Sequence, residues 1–128
     1  MTVPVLSGDP AATPDRPAAA RRLLRRAAAP GPDGMVCAID PESAGWDWTT
    51  FHVYRLDPGQ QVTRPADDME RLLLVLEGKA SLRVGDEDLG EQGSRMSVFD
   101  GPPPPVLLVE PGRSLEAVAT TVALVAIG

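Results

Sequence analysis

The residues best suited to acid–base chemistry are a histidine and a tyrosine two positions apart. In a β-strand, His52 and Tyr54 would lie on one face together with Leu56. Histidine titrates near neutral pH, and a partly buried Glu70 could be tuned toward the same range. These are candidate catalytic residues for isomerisation, epimerisation, cyclisation or dehydration. The alternative is a histidine and a tyrosine that are hydrogen-bonded within the core.

Two further side chains could bind a substrate. Arg95 could hold the carboxylate of a sugar acid, because a guanidinium offers two parallel donors. Trp48 could stack on a sugar ring. Structural roles are the alternatives: Arg95 would contact Asp100 or turn backbone, and Trp48 would cover the fold or fill a subunit interface.

Short β-rich runs separated by turn residues begin at residue 35. This spacing is typical of an antiparallel sandwich or barrel and leaves no room for crossover helices. The predicted strands are 35–39, 48–56, 71–77, 80–84, 96–99, 106–109 and two more within 115–127. We therefore predict an all-β fold.

The charge is unevenly distributed. The net charge is −6, but residues 1–30 carry +3, which leaves −9 on the remainder. An acidic body repels nucleic-acid phosphates and anionic lipid, so we expect neither nucleic acid nor membrane as a partner. The lone cysteine, Cys37, excludes an intramolecular disulfide. With no secretory signal pattern, a cytoplasmic location is expected.

The amino-terminal composition differs from the rest. Prolines and small polar residues predominate up to about residue 20, which favours a mobile tail. Residues 18–29 have helix-forming composition and could form a short helix before the Pro-Gly-Pro sequence at 30–32. We predict a flexible tail rich in Pro, Ala and Arg over residues 1–30 and one domain over 31–128.

Three stretches carry a family resemblance: PESAGWDWTTFHVYRLDPG at 41–59, ERLLLVLEGKASL at 70–82 and GSRMSVFDGPPPPVLLVEPG at 93–112. From about residue 22 onward the chain resembles the amino-terminal half of the KduI/IolB family, which includes 5-deoxyglucuronate isomerases of inositol catabolism. The resemblance implies a cupin-type antiparallel β-barrel, a double-stranded β-helix or jelly roll. The family's metal-dependent chemistry is associated with a histidine-containing carboxy-terminal cupin, which would begin where this chain ends.

Cupin metal centres follow a recognisable pattern, since a divalent metal needs three or four convergent imidazole or carboxylate donors. The pattern is Gly, five residues, His-x-His and a downstream Glu, followed by Gly-x5-Pro-x-Gly-x2-His. Here Pro65, Asp67 and Pro104 stand at the histidine positions. We therefore predict no metal and no cofactor. A weak carboxylate site formed by Asp67, Asp68 and Glu70 is the alternative.

The resemblance also orients the candidate site. In cupins the leucine before the Pro-Gly turn, here Leu56, points into the barrel, which implies that His52 and Tyr54 line the interior. Glu70 would lie at the mouth. The apolar residues expected to face them are Leu72, Leu74 and Leu76.

These inferences combine into one predicted function. We predict a metal-independent cupin resembling 5-deoxyglucuronate isomerases, with isomerase-, epimerase- or cyclase-type acid–base chemistry on a small sugar-like or polyhydroxylated molecule bound in the barrel. The alternative is a non-catalytic cupin that binds a small molecule or serves in assembly. We expect a homodimer, because open sheet edges invite pairing.

Overall fold

The computed structural model describes residues 24–128, which form two antiparallel β-sheets. The strands are β1 (Met35–Ile39), β2 (Phe51–Leu56), β3 (Gln61–Arg64), β4 (Arg71–Glu77), β5 (Ala80–Val84), β6 (Glu87–Gln92), β7 (Leu107–Val109), β8 (Leu115–Ala119) and β9 (Ala123–Ile127). One sheet has the order β1-β2-β9-β4-β7, and the other has the order β3-β8-β5-β6. This arrangement confirms the predicted all-β, cupin-type fold.

The hydrophobic core lies between the two sheets. Strands β5 and β8 alternate buried and less buried residues, so each contributes one apolar face. The largest fully buried side chains are Leu56, Leu73, Leu115, Val109 and Val125. Burying a leucine or valine of this kind contributes about 1.5–3 kcal/mol relative to leaving it exposed. The core therefore fixes how the two sheets face each other.

Two glycines allow neighbouring turns to approach closely. Gly78 and Gly93 have φ angles of 78° and 138°, which disfavour other residues. A Cβ atom on Gly78 would lie 2.1 Å from the carbonyl oxygen of Val122, and one on Gly93 would lie 2.2 Å from that of Gly78. Any side chain at either position would force these turns apart.

The predicted strands 35–39, 71–77 and 80–84 are confirmed as β1, β4 and β5, and the two closing strands are β8 and β9. Strand β2 begins at Phe51 rather than at residue 48, and β7 begins at Leu107. The sequence did not predict β3 and β6. Strand β6 is polar and largely exposed, so no apolar alternation marks it.

The predicted strand at 96–99 is wrong, because this segment is a turn. The carbonyl of Ser97 accepts a hydrogen bond from the amide of Asp100 at 3.0 Å. The hydroxyl of Ser97 accepts one from the amide of Phe99 at 3.2 Å. The amide of Val98 donates to the carboxylate of Glu77. The hydroxyl of Ser97 and the carboxylate of Glu77 therefore bind backbone amides that a strand would direct to its neighbour, despite the apolar residues.

The amino-terminal helix prediction fails where the structure tests it. Residues 24–29 are not helical, and the amide of Ala28 donates to the carbonyl of Val36 at 2.8 Å. Residues 18–23 lie outside the described residues.

The helix α1 (Pro41–Ala44) is capped by Asp40, whose carboxylate accepts a hydrogen bond from the amide of Ser43 at 2.7 Å.

No helix within residues 24–128 is long and apolar enough to cross a membrane.

Candidate active site

Strand β2 directs the two predicted acid–base residues into the interior. Tyr54 is 3% exposed and Leu56 is fully buried, whereas Arg55 between them is exposed. His52 lies on the same face nearer the end of the strand and is half-buried. The orientation predicted for these three residues is confirmed.

The predicted orientation of β4 is wrong by one residue. Leu73 is 1% exposed and Val75 is buried, whereas Leu72 is 43% exposed. The inward-facing residues are therefore Leu73 and Val75, not Leu72, Leu74 and Leu76. Because this strand is apolar on both faces, its sequence does not indicate which face is buried; its pairing with β9 aligns Leu73 with Ile127.

Arg64 connects the two sheets at the candidate site. It ends β3 with its side chain on the same face as the buried Val62, so it crosses the interior toward β2. Its Nη2 atom lies 2.6 Å from the hydroxyl of Tyr54 and 2.9 Å from Nδ1 of His52. The guanidinium carbon lies 5.3 Å from the centre of the Tyr54 ring, within the range of a cation–π contact.

The contact with Arg64 determines the tautomer of His52. A guanidinium has no acceptor, so Nδ1 of His52 must accept and the imidazole proton must reside on Nε2. Burial lowers the pKa of His52, the charge of Arg64 lowers it further, and Asp40 opposes the shift. His52 is therefore held as a neutral imidazole with an Nε2–H donor.

A second arginine lies close by but is already paired. Nη2 of Arg71 is 2.6 Å from the carboxylate of Asp67, and Nη1 contacts the carbonyl of Pro65 at 3.4 Å. The hydrogen bond from Arg71, followed by that from the amide of Met69, lowers the pKa of Asp67. The carboxylate of Asp67 is therefore paired with the side chain of Arg71.

A cavity of about 220 Å³ opens at this end of the barrel. The polar residues that line it are Thr50, His52, Arg64, Glu70 and Arg71. Glu70 lies at the mouth, where it is exposed and not partly buried as the acid–base hypothesis expected, because it precedes β4. The hydroxyl of Tyr54 is engaged by Arg64. Two of the three candidate catalytic residues therefore line one cavity, and the third supports Arg64 beside it.

The two predicted substrate-binding residues lie elsewhere. Nε of Arg95 donates to the carbonyl of Leu76 at 3.0 Å, at the end of β4 opposite Arg71. The contact is structural, as in the alternative considered for Arg95, but its partner is the backbone of β4 and not Asp100 or a turn. Trp48 is 86% exposed and does not line the cavity.

The positions that would hold a metal in other cupins do not converge here. Asp67 is paired with Arg71, whose positive charge opposes a metal ion, and Pro104 lines a different cavity. Among the residues that the structure describes, no three His, Cys, Asp or Glu side chains cluster closely enough to hold a metal. The residues present do not fit a cupin metal centre.

Sequence reasoning did not identify Arg64 or Arg71. The signal for Arg64 was available but weak: Val62 and Arg64 alternate with polar residues just after the Pro-Gly turn. One apolar residue is too little to indicate a strand or its buried face.

The fold and this cavity define a cupin-type protein with a basic site, and comparison with known proteins identifies the family. The KduI/IolB family model matches residues 23–128, so the chain belongs to that family. It is 35% identical over 100 residues to a 5-deoxy-glucuronate isomerase of Geobacillus thermodenitrificans, and 27% identical over 101 residues to one of Listeria innocua. These alignments cover 78% and 79% of this chain but only 36% and 37% of the relatives.

Solved structures give the same family and fold. An IolB-like protein from Salmonella typhimurium LT2 superposes with a TM-score of 0.70 at 31% identity, covering 73% of this chain and 36% of the other. A predicted oxalate decarboxylase from Thermotoga maritima superposes with a TM-score of 0.53 at 15% identity, covering 73% and 74%. The second likeness shows the fold alone. The chain spans little more than a third of the length of its curated relatives.

Proposed function

We propose that the cavity beside Arg64 binds a small polyhydroxylated acid and supports isomerase-type proton transfer without a metal. The observation that carries this proposal is the contact of Arg64 with both His52 and Tyr54. It leaves a neutral histidine with a fixed Nε2–H donor next to a half-buried positive charge.

The charge of Arg64 favours an anionic ligand. Arg71 shares its charge with Asp67, whereas Arg64 has no ion-pair partner among residues 24–128. Its hydrogen bonds go to neutral groups: His52, Tyr54 and the carbonyl of Thr63. A carboxylate entering the cavity would neutralise this cation. A uronic acid, the class named for the 5-deoxy-glucuronate isomerases that this chain resembles, has such a group.

The other cavity residues could perform an aldose–ketose isomerisation. The carboxylate of Glu70 would remove the proton from the carbon next to the carbonyl, and the electron pair would move to the carbonyl oxygen. The Nε2–H of His52 would donate to that oxygen, as neutral imidazoles do in other isomerases. His52 would recover its proton from the hydroxyl on the neighbouring carbon, and as that C–O bond becomes the new carbonyl, Glu70 would return its proton to the former carbonyl carbon. The step therefore moves two protons and involves no net oxidation.

Non-catalytic binding is the second candidate. Its support is that Nδ1 of His52 and the hydroxyl of Tyr54 are both engaged by Arg64, which leaves Glu70 as the one candidate base at this site. Glu70 is exposed. A binding module would keep the Arg64 cluster and would not need Glu70.

Hydrogen exchange into a sugar acid separates these candidates. The protein is incubated with D-glucuronate in D₂O, and NMR follows deuterium entering the carbon next to the aldehyde and formation of the ketose. Catalysis predicts exchange that is lost in Glu70→Gln and kept in Glu42→Gln, an exposed control. Saturable binding without exchange favours the binding module, and the absence of both overturns the proposal.

Metal dependence is tested on the same samples. Elemental mass spectrometry of tag-free protein, purified without added metal or chelator, is expected to find no stoichiometric transition metal. Exchange is expected to survive chelator. A near-stoichiometric metal that is required for exchange would refute a metal-independent reaction.

A further inference from the structure

A second cavity lies between the sheets. Its volume is about 240 Å³, and it shares no lining residue with the cavity beside Arg64. Leu73 and Val75 of β4 line it from one sheet, and Leu82 of β5 lines it from the other. All three are buried, so they form its floor.

The entrance is formed by exposed apolar residues. Val106 is 56% exposed and Leu89 is 36% exposed, and both line the cavity. Pro104 and Pro105 complete this side. Proline fixes φ near −65°, so this wall is held open with little conformational freedom. The entrance is therefore preformed and accessible from solvent.

Gln92 provides the one side chain with a polar group in this wall. Its Nε2 atom donates to the carbonyl of Leu89 at 2.9 Å, and a carbonyl can only accept, so this contact fixes the orientation of the amide. The Oε1 atom accepts no hydrogen bond from any residue in the part of the chain that the structure describes. Among the side chains of this wall, Gln92 therefore offers the one acceptor without a hydrogen-bond partner in residues 24–128.

We propose that this cavity binds a small, uncharged aromatic molecule that carries one hydroxyl or N–H donor, with phenol as the simplest example. No charged residue lines the cavity, so a sugar acid would lose its hydration without gaining an ion pair. An apolar cavity of about 150 Å³ suffices to bind benzene in another protein, so the size is adequate. Water would find one polar side chain there, whereas buried waters make about three hydrogen bonds.

Calorimetric titration with phenol and toluene tests the proposal. Both are expected to bind saturably, with phenol bound more tightly because its hydroxyl donates to Gln92. In Gln92→Leu the ratio of phenol affinity to toluene affinity should fall by about fivefold, because one neutral hydrogen bond is lost. Val106→Trp should weaken both ligands by roughly tenfold, since an indole would fill part of the cavity. Val122→Trp, an exposed valine in the turn before β9, is the matched control and should change nothing.

Three results would overturn the proposal. The first is the absence of saturable phenol binding up to the solubility limit, and the second is equal affinity in wild type and in Val106→Trp that remains folded by circular dichroism. The third is loss of phenol binding in Arg64→Lys, which would place phenol in the other cavity. Unchanged phenol affinity in Arg64→Lys supports two separate sites.

Discussion

Arg64 and His52 belong to different sheets, and the Nη2 atom of Arg64 lies 2.9 Å from Nδ1 of His52. The same nitrogen donates to the hydroxyl of the buried Tyr54. One guanidinium therefore links the sheets, satisfies a buried hydroxyl and fixes the proton on the histidine. The basic character of the cavity and the state of its histidine thus have one structural origin.

Arg64→Ala should destabilise the fold. The substitution leaves the hydroxyl of Tyr54 buried without its partner, which costs about 1–3 kcal/mol. Urea unfolding followed by circular dichroism measures the change, and Arg55→Ala, on the exposed face of β2, is the control. Adding Tyr54→Phe to Arg64→Ala should recover part of the loss. An unchanged unfolding midpoint in Arg64→Ala would contradict the role given to this contact.

Stability should fall as the pH is lowered from neutrality. The pKa of His52 is lower in the folded protein than its usual value near 6.5. The unfolded chain therefore binds more protons below that value, and stability is full above about pH 6.5 and decreases below it. The chain has one histidine, so its imidazole signals are unambiguous in NMR. The urea unfolding midpoint of both wild type and His52→Gln can be measured as the pH is lowered from 7 to 5. An equal fall in the two proteins would contradict this assignment.

The ion pair of Asp67 and Arg71 predicts a second loss of folding stability, at a more acidic pH. The pKa of Asp67 is lowered in the folded state, so its contribution is present above the usual value of 3.8 and is lost as the pH falls through the depressed value. Asp67→Asn should therefore be less stable than wild type at pH 6, and the difference should vanish toward pH 2. Asp68→Asn, the exposed neighbour, controls for removal of an acid. A difference that persists undiminished at pH 2 would exclude this ion pair as its source.

The predicted homodimer has a candidate surface on the outer face of β4 and β7. Leu72 and Leu108 are paired across these strands and are 43% and 57% exposed. Light scattering should give twice the chain mass, because a second copy would cover these leucines. Leu108→Lys should shift the protein toward the monomer, whereas Val122→Lys in a turn should not. A wild-type monomer at high concentration would refute the dimer.

The sequence was sufficient to orient β2 with the help of the family resemblance. Strand alternation places His52, Tyr54 and Leu56 on one face, and the resemblance to cupins, in which the leucine before the Pro-Gly turn points inward, indicated that this face is the inner one. Turns could be located where glycines such as Gly78 and Gly93 separate the β-rich runs, and the structure shows both at positive φ.

The rest of the fold and of the candidate site depended on contacts between residues that are far apart in the sequence. Strand β4 is apolar on both faces, so its orientation is determined by pairing with β9. Arg64 became a site residue through contacts across the interior with side chains ten and twelve positions away, which no local pattern encodes. Arg95 was a chemically reasonable substrate ligand, but its place near the end of β4 directs it to the carbonyl of Leu76.

NMR of the His52 imidazole during titration with D-glucuronate tests the central claim most directly. We predict that the free protein at neutral pH shows the Nε2–H tautomer and that the ligand shifts these signals saturably. Arg64→Lys should weaken the binding, and Arg55→Lys should not. An Nδ1–H tautomer, or His52 signals that do not respond to D-glucuronate at any attainable concentration, would contradict the proposed site.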